Sequence, residues 1–141
     1  MPKPIFKEIN LNSLISRSIN LHKLSATDIK KFISVIHSPF LLCVSHLYSY
    51  KNIPRMIEAF AIAKRRTESD YRLLIAGAKR SNKYYNEITN IIKKLKLEDG
   101  VILLGAVSKE DLRYLFSSCE FFVFPSPCEN FAITLVEAMC C

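Results

Sequence analysis

The stretch Tyr71-Arg72-Leu73-Leu74-Ile75-Ala76, followed by Gly77, decides the fold of this 141-residue chain. It is a short, nearly continuous apolar run that ends at a glycine, and such runs are typical of strands buried on both faces of a sheet. Apolar residues at helical spacing lie on either side of it: Ile53, Ile57, Phe60 and Ala61 before, and Tyr84, Ile88, Ile91, Ile92 and Leu95 after. The chain therefore passes from helix to strand to helix in this region.

The same alternation extends over most of the sequence. Further strands are predicted at residues 40–44, 101–104 and 121–124, and a helical pattern follows each of them. Buried strands separated by amphipathic helices predict an α/β fold, a Rossmann-like doubly wound parallel sheet. Ligands bind such sheets at the carboxyl ends of the strands. The loops expected at that edge are 45–51, 77–80, 105–108 and 125–134.

Two of the helix starts carry capping signals. Asn52 is expected to cap the first helix, with Pro54 in its first turn. Ser108 and Asp111 resemble a capping box in which Asp replaces the usual Glu, and they are expected to open the third helix.

The composition narrows the class of protein. Half of the residues are hydrophobic, so the chain is predicted to form one domain with a core, and the net charge is +7. A basic surface can attract nucleic acid, anionic lipid or a phosphorylated substrate, although most of these charges are expected to be simply solvated. A nucleic-acid-binding domain is disfavoured because no helix carries clustered Arg and Asn.

Cysteine usage and the lack of long apolar runs indicate the compartment. The five cysteines form no CxxC pair and no metal-ligand spacing, so they are expected to be buried, reduced thiols, and no metal is expected. No run reaches the length of a membrane span, and no signal peptide is apparent. A cytoplasmic chain fits, with peripheral contact to the inner membrane surface left open.

The amino-terminal part differs from the rest. Residues 1–39 are polar, with one expected helix over 27–36, and are interpreted as a linker and a packing helix without a site. Residues 40–141 form the predicted domain.

Charged residues converge on one edge of the predicted sheet. Glu129 lies in the loop after the fourth strand, Glu137 lies on the helix that follows, and Lys51 lies in the loop after the first strand. The backbone amides of residues 130–135, at a helix start, suit a phosphate, and carboxylates suit sugar hydroxyls. Each residue also has a structural explanation: Lys51 as a surface lysine, His46 as a polar residue at a strand end, and Phe131 and Met139 as core. Their common edge favours a site for a nucleoside-diphosphate sugar.

Residues 40–141 resemble the carboxyl-terminal, donor-binding domain of the retaining glycosyltransferases of family 4, which have the GT-B fold. The segments that carry the resemblance are VSHLYSYKN at 44–52, IEAF at 57–60, LLIAG at 73–77, VILLGAVS at 101–108, SPCENF at 126–131 and LVEAM at 135–139. The resemblance implies transfer of a hexose from a nucleoside-diphosphate sugar to a glycan or lipid acceptor, with retention and without a bound metal.

The resemblance also implies roles for individual residues. Glu129 matches the glutamate that contacts the donor sugar, Glu137 the one that binds the ribose, and Lys51 the lysine that contacts the diphosphate. Val107 matches a residue whose backbone meets the base. His46 is grouped with Lys51 and Glu129 as catalytic, and the remaining donor-binding residues are expected to be Asn130, Phe131, Ala132, Thr134 and Leu135.

Three departures from the family pattern qualify these expectations. Ser45-His46 stands where many members have Gly-Arg, and Asn130 and Ala132 replace the usual glycines of the donor loop. The acceptor domain and the end of the donor domain are missing, so a truncated domain with little activity of its own is expected. The alternative is a non-catalytic interaction module that pairs with a separate chain carrying an acceptor domain.

Overall fold

The structure is a computed structural model that describes residues 38–129 and 131–141. The helix expected over 27–36 and nearly all of the expected linker lie outside the described residues. In chain order the elements are β1 (Phe40–Val44), a 3₁₀ turn (Ser49–Lys51), α1 (Ile53–Thr67), β2 (Arg72–Ala76), α2 (Asn82–Lys94), β3 (Val101–Gly105), α3 (Lys109–Ser118), β4 (Phe121–Phe122) and α4 (Ile133–Met139).

The four strands form one parallel sheet in the order β3-β2-β1-β4. The chain builds outward from β1 to β2 and β3, then returns to add β4 on the other side of β1. The predicted Rossmann-like, doubly wound parallel sheet is confirmed. The reversal of strand order between β1 and β4 opens a crevice beyond their carboxyl ends, where such sheets bind ligands.

Strand β2 shows why both faces of the sheet are covered. Leu73 and Ile75 point into one core cluster with α1 and α2, whereas Leu74 and Ala76 point into a second cluster with α3. These four residues are at most 1% exposed. Successive side chains of a strand alternate between faces, so an unbroken apolar run is what a sheet with helices on both sides requires.

The two predicted caps have different outcomes. The Ser108 side chain accepts a hydrogen bond from the Asp111 N–H at 3.1 Å and donates one to Asp111 Oδ2 at 2.6 Å, so it caps α3 as predicted. Asn52 does precede α1, but the prediction that its side chain caps the helix is wrong. Its backbone is left-handed, with φ of 57°, and its side-chain Nδ2 donates to the Pro125 carbonyl at 3.4 Å instead.

The last strand and the last helix are both shorter than predicted. The strand predicted over 121–124 ends at Phe122, although the Val123 N–H still donates to the Leu42 carbonyl at 2.8 Å. Pro125 and Pro127 follow directly, and proline has no N–H to continue a ladder. The helix begins at Ile133 rather than near residue 130, and it ends at Met139, so Cys140 and Cys141 follow the helix.

Most described cysteines are not buried, contrary to expectation. Cys43 in β1 is buried, and burial raises the pKa of its thiol to about 12, so it is unreactive. Cys119 is half-buried, and Cys128, Cys140 and Cys141 are exposed. Among the residues that the structure describes, no helix is both long and apolar enough to cross a membrane.

Candidate functional site

The loop after β1 is held against the loop after β2. The Leu47 N–H donates to the Ala78 carbonyl at 3.1 Å, and the Ser45 N–H donates to the Ala76 carbonyl at 2.9 Å. This close approach depends on Gly77, where a Cβ would overlap the Ser45 carbonyl oxygen. The parallel pairing thus runs past the ends of the strands and positions residues 45–47 at the edge of the sheet.

A cleft of about 200 Å³ lies between the segment that follows β1 and the segment that follows β4. It is at the point where the strand order reverses. Its lining residues are Val44, Ser45, His46, Tyr48, Tyr50, Lys51, Phe124, Glu129, Phe131, Ala132, Ile133 and Thr134.

An ion pair between Lys51 Nζ and Glu129 Oε1 joins the two sides of the cleft. The residues are 78 positions apart in the sequence, and their side chains are only 15% and 22% exposed. The hydrogen bond from Lys51, followed by one with Ser126, lowers the pKa of the Glu129 carboxyl. Glu129 is therefore a carboxylate at neutral pH, and the cleft contains one fixed anion beside one fixed cation.

His46 lies at the edge of the cleft, and each of its ring nitrogens has a neighbouring nitrogen within 3.4 Å. Nδ1 accepts a hydrogen bond from the Ala78 N–H at 3.3 Å, and Nε2 lies 3.4 Å from Arg80 Nη2. The residue is exposed as a whole, but these contacts remove water from the ring. This desolvation, and after it the positive charges of Arg80 and Lys51, lower the pKa of His46. At neutral pH the ring is uncharged, so it does not add a positive charge to the cleft.

Two tyrosines in the cleft wall were not identified from the sequence. The rings of Tyr48 and Tyr50 stack at 5.4 Å between centroids with 14° between their planes, and Lys51 Nζ lies 5.0 Å from the centroid of the Tyr50 ring. The only sequence signal was the placement of two aromatic residues just before the lysine of the same loop.

The structure brings together most, but not all, of the predicted site residues. His46, Lys51, Glu129, Phe131, Ala132 and Thr134 line the cleft. Leu135 and Glu137 are exposed on α4 outside its lining, and Val107 packs on the second core cluster. Glu137 is the fifth residue of α4, about one turn into the helix. Asn130 lies outside the described residues.

The amides expected to bind phosphate are partly occupied in this structure. The Ile133 N–H donates to the Phe131 carbonyl, and the Leu135 N–H donates to the Ala132 carbonyl, each at 3.0 Å. The first turn of α4 therefore already uses two of the six donors that the sequence assigned to a ligand. In residues 38–129 and 131–141 there is no group of three or more side chains that could hold a metal ion.

Known proteins resemble the chain in sequence and in fold. The family model described as "Glycosyl transferases group 1" matches residues 26–141. The N-acetylgalactosamine-N,N'-diacetylbacillosaminyl-diphospho-undecaprenol 4-alpha-N-acetylgalactosaminyltransferase of Campylobacter jejuni is 35% identical over 102 residues, 72% of this chain and 26% of that protein. The O-antigen chain mannosyltransferase B of Escherichia coli is 28% identical over 102 residues, again 72% of this chain and 26% of that protein.

A solved structure extends the likeness to three dimensions. The crystal structure of Anabaena Alr3699/HepE in complex with UDP and glucose superposes with a TM-score of 0.69 at 28% identity, over 87% of this chain and 34% of that one. The chain thus spans about a quarter of the length of the curated relatives it matches. Because the family model covers most of the chain, this protein belongs to the group 1 family of glycosyl transferases.

Proposed function

We propose that this chain is the donor-binding part of a family 4 glycosyltransferase with the GT-B fold, and that its cleft binds a nucleoside-diphosphate sugar. The full reaction transfers a hexose from that donor to a glycan or lipid acceptor with retention, in the cytoplasm. The observation that carries the proposal is the Lys51–Glu129 pair, which stands in the cleft at the reversal of strand order.

Each member of the pair has a role that its chemistry suits. The Lys51 ammonium binds the diphosphate and stabilises the negative charge that develops on it as the glycosidic bond breaks. The Glu129 carboxylate accepts hydrogen bonds from hydroxyl groups of the sugar. His46 has an uncharged ring at neutral pH and contributes hydrogen bonding at the edge of the cleft rather than charge.

The remaining residues hold the nucleoside and the loop. Glu137 binds the ribose diol, and the backbone of Val107 meets the base. Asn130, Phe131, Ala132, Thr134 and Leu135 contact the donor around its diphosphate. Glu137 and Val107 lie outside the lining of the cleft, so this part of the donor extends beyond it over α4 and the segment after β3.

The proposal is tested by calorimetric titration of the chain with UDP, GDP and UMP. We expect saturable binding of one diphosphate. We expect Lys51→Met to weaken it by about 10- to 100-fold, the range for a charge-assisted hydrogen bond, and Glu137→Ala to weaken it as well. Lys109→Met, on α3 outside the cleft, is the matched control and is expected to bind like the wild type. Absence of binding by the folded wild-type chain would contradict the proposal.

The acceptor is held by parts of the enzyme other than this cleft. Retaining transfer requires donor and acceptor to be fixed against each other, and that positioning supplies much of the rate. We therefore expect little turnover from the 141 residues alone. Steady hexose transfer by the purified chain to any acceptor would contradict this part of the proposal.

A further inference from the structure

The aromatic residues beside Lys51 are exposed to solvent. Tyr48 is 39% and Tyr50 55% exposed, although both line the cleft. Exposing large apolar rings to water is unfavourable, and these two rings keep much of their surface in water. The hydrophobic effect therefore does not explain where they lie. Their contacts with neighbouring side chains give a better explanation.

These contacts form a chain that ends at the lysine. The His46 and Tyr48 rings form a T-shaped pair, with the planes at 85° and the centroids 6.3 Å apart. Tyr48 stacks on Tyr50 at 5.4 Å, and Lys51 Nζ lies 5.0 Å from the Tyr50 centroid. A cation within about 6 Å of an aromatic ring, over its face, is attracted by the negative charge density there.

Lys51 therefore has two partners in the cleft, the Glu129 carboxylate and the face of the Tyr50 ring. The carboxylate cannot stay fully engaged with Lys51 if it also accepts hydrogen bonds from a sugar. A lysine has a long, flexible stem, and an ammonium without a partner gains rotamer entropy and hydration by leaving the cleft. The ring remains as a partner when the carboxylate turns to another ligand.

We propose that Tyr50 is a positioning residue that holds the Lys51 ammonium in the cleft through the face of its ring, with Tyr48 stacked on that ring. The consequence for ligand binding rests on the proposed function of the cleft. Tyr50 acts on the diphosphate through Lys51 and makes no necessary contact with the ligand itself.

The first experiment measures the ligand-free chain by NMR with labelled lysine, and Lys51→Met assigns the Lys51 signals. Protons over the face of an aromatic ring are shifted upfield. We expect upfield-shifted Lys51 ε-protons in the wild type and in Tyr50→Phe, which keeps the ring, and ordinary shifts in Tyr50→Leu. Ordinary shifts in the wild type would overturn the proposal, whether or not any nucleotide binds.

The second experiment is a double-mutant cycle read by calorimetric titration with UDP and GDP. We expect Tyr50→Leu to weaken binding of the diphosphate by about two- to fivefold, as the loss of one exposed cation–π contact does. We expect Tyr50→Phe to bind like the wild type, and Tyr50→Leu to have no further effect in the Lys51→Met background. If Tyr50 had a merely structural role, or stacked directly on the ligand, Tyr50→Leu would weaken binding equally in the wild-type and the Lys51→Met backgrounds. That result would overturn the proposal.

A matched control removes another cation–π pair. Lys79 Nζ lies 4.4 Å from the centroid of the Tyr85 ring, and neither residue lines the cleft. Tyr85→Leu is expected to leave the affinity for the diphosphate unchanged. If the wild type binds neither diphosphate while the Lys51 ε-protons are shifted, the proposed function of the cleft fails and the role of Tyr50 in holding Lys51 stands.

Discussion

At the scale of single residues, the charge balance of the cleft depends on which partner each charged group has. Lys51 and Glu129 satisfy each other in this structure, so each must leave the other, at least in part, to bind a ligand. A partly exposed ion pair contributes little to stability, so a diphosphate can readily replace it as the partner of Lys51. The pair therefore keeps both groups ordered at a small cost to ligand binding.

Replacing Glu129 with Gln separates the proposed role of Lys51 in binding the diphosphate from the proposed role of Glu129 in binding the sugar. Lys51 loses its competing partner, so we expect Glu129→Gln to leave the affinity for UDP or GDP unchanged or to raise it by up to about fivefold. The corresponding nucleotide sugar is expected to lose affinity relative to the bare diphosphate, because the carboxylate that accepts its hydroxyl groups is gone. Calorimetric titrations of both ligands check this. Equal weakening of both would show instead that Glu129 contacts the nucleotide.

The pKa of His46 gives a second prediction at this scale. Desolvation, and then the charges of Arg80 and Lys51, disfavour the protonated ring, so we expect His46 to titrate below the ordinary histidine range. In Arg80→Met the midpoint is expected to rise but to stay below that range, because desolvation remains. Proton NMR of the His46 ring, assigned with His46→Gln, measures both values. A wild-type midpoint at or above the ordinary value would contradict the contacts described.

The sign of the linked stability effect follows from the same shift. Between the folded and the unfolded pKa of His46, the unfolded chain binds more protons than the folded chain. The contribution of this residue to stability is therefore fully present above the unfolded pKa. It is lost as the pH falls from there through the folded value.

At the scale of elements, Gly77 determines how closely the segments after β1 and β2 approach. We expect Gly77→Ala to lower the free energy of unfolding by about 1–3 kcal/mol or more, since 1–3 kcal/mol is the usual cost of an overpacked site. The reason is that the added Cβ would overlap the backbone of Ser45 rather than a flexible side chain. Binding of the diphosphate should weaken as well, since residues 45–47 must move. Urea denaturation and calorimetry measure the two effects.

Gly100 offers a matched control for this substitution. A Cβ there would lie 3.5 Å from Leu97 Cδ2, an ordinary van der Waals contact. Gly100→Ala is expected to keep both the stability and the affinity near those of the wild type. Similar losses at both glycines would show that close approach is not the reason that Gly77 is needed.

The elements also show how far the sequence predicts the structure. The strands and the three longer helices follow from local apolar spacing, and the Ser108 cap follows from a local pattern, so each could be predicted. The position of the Asn52 side chain could not be predicted, because it forms a hydrogen bond with the carbonyl of Pro125, which lies 73 positions away. The late start of α4 at Ile133 could not be predicted either, because no local periodicity marks it.

The candidate site was predictable only in part, for the same reason. Lys51 and Glu129 were expected at one edge of the sheet because both follow strands. Their direct pairing requires in addition that the two strands are neighbours, and the sequence does not reveal the strand order. The role of Tyr50 depends on ring orientation in a loop, which apolar spacing does not determine. Glu137 and Val107 remain predictions that depend on the bound donor.

At the scale of the whole molecule, strand β2 connects the two core clusters. Leu73 and Leu74 are fully buried on opposite faces of the sheet. We expect Leu73→Ala and Leu74→Ala each to lower the free energy of unfolding by about 2–5 kcal/mol. Because both clusters share the strand, near-ultraviolet and far-ultraviolet circular dichroism should report one coincident transition in urea. Two separated transitions would show that the faces unfold independently.

The strand order has a consequence for the order in which the ribosome makes the chain. Strand β1 is the first of the four to be synthesised, yet it ends up between β2 and β4. Until β4 emerges, one side of β1 has no neighbour, and the nascent chain presents an unsatisfied strand edge. Glu129, the partner of Lys51, is likewise synthesised 78 residues after it. Of the described residues, the fourth strand and the Glu129 side of the cleft are therefore synthesised late, so a ribosome that stops short of residue 121 releases a chain without the Lys51–Glu129 pair.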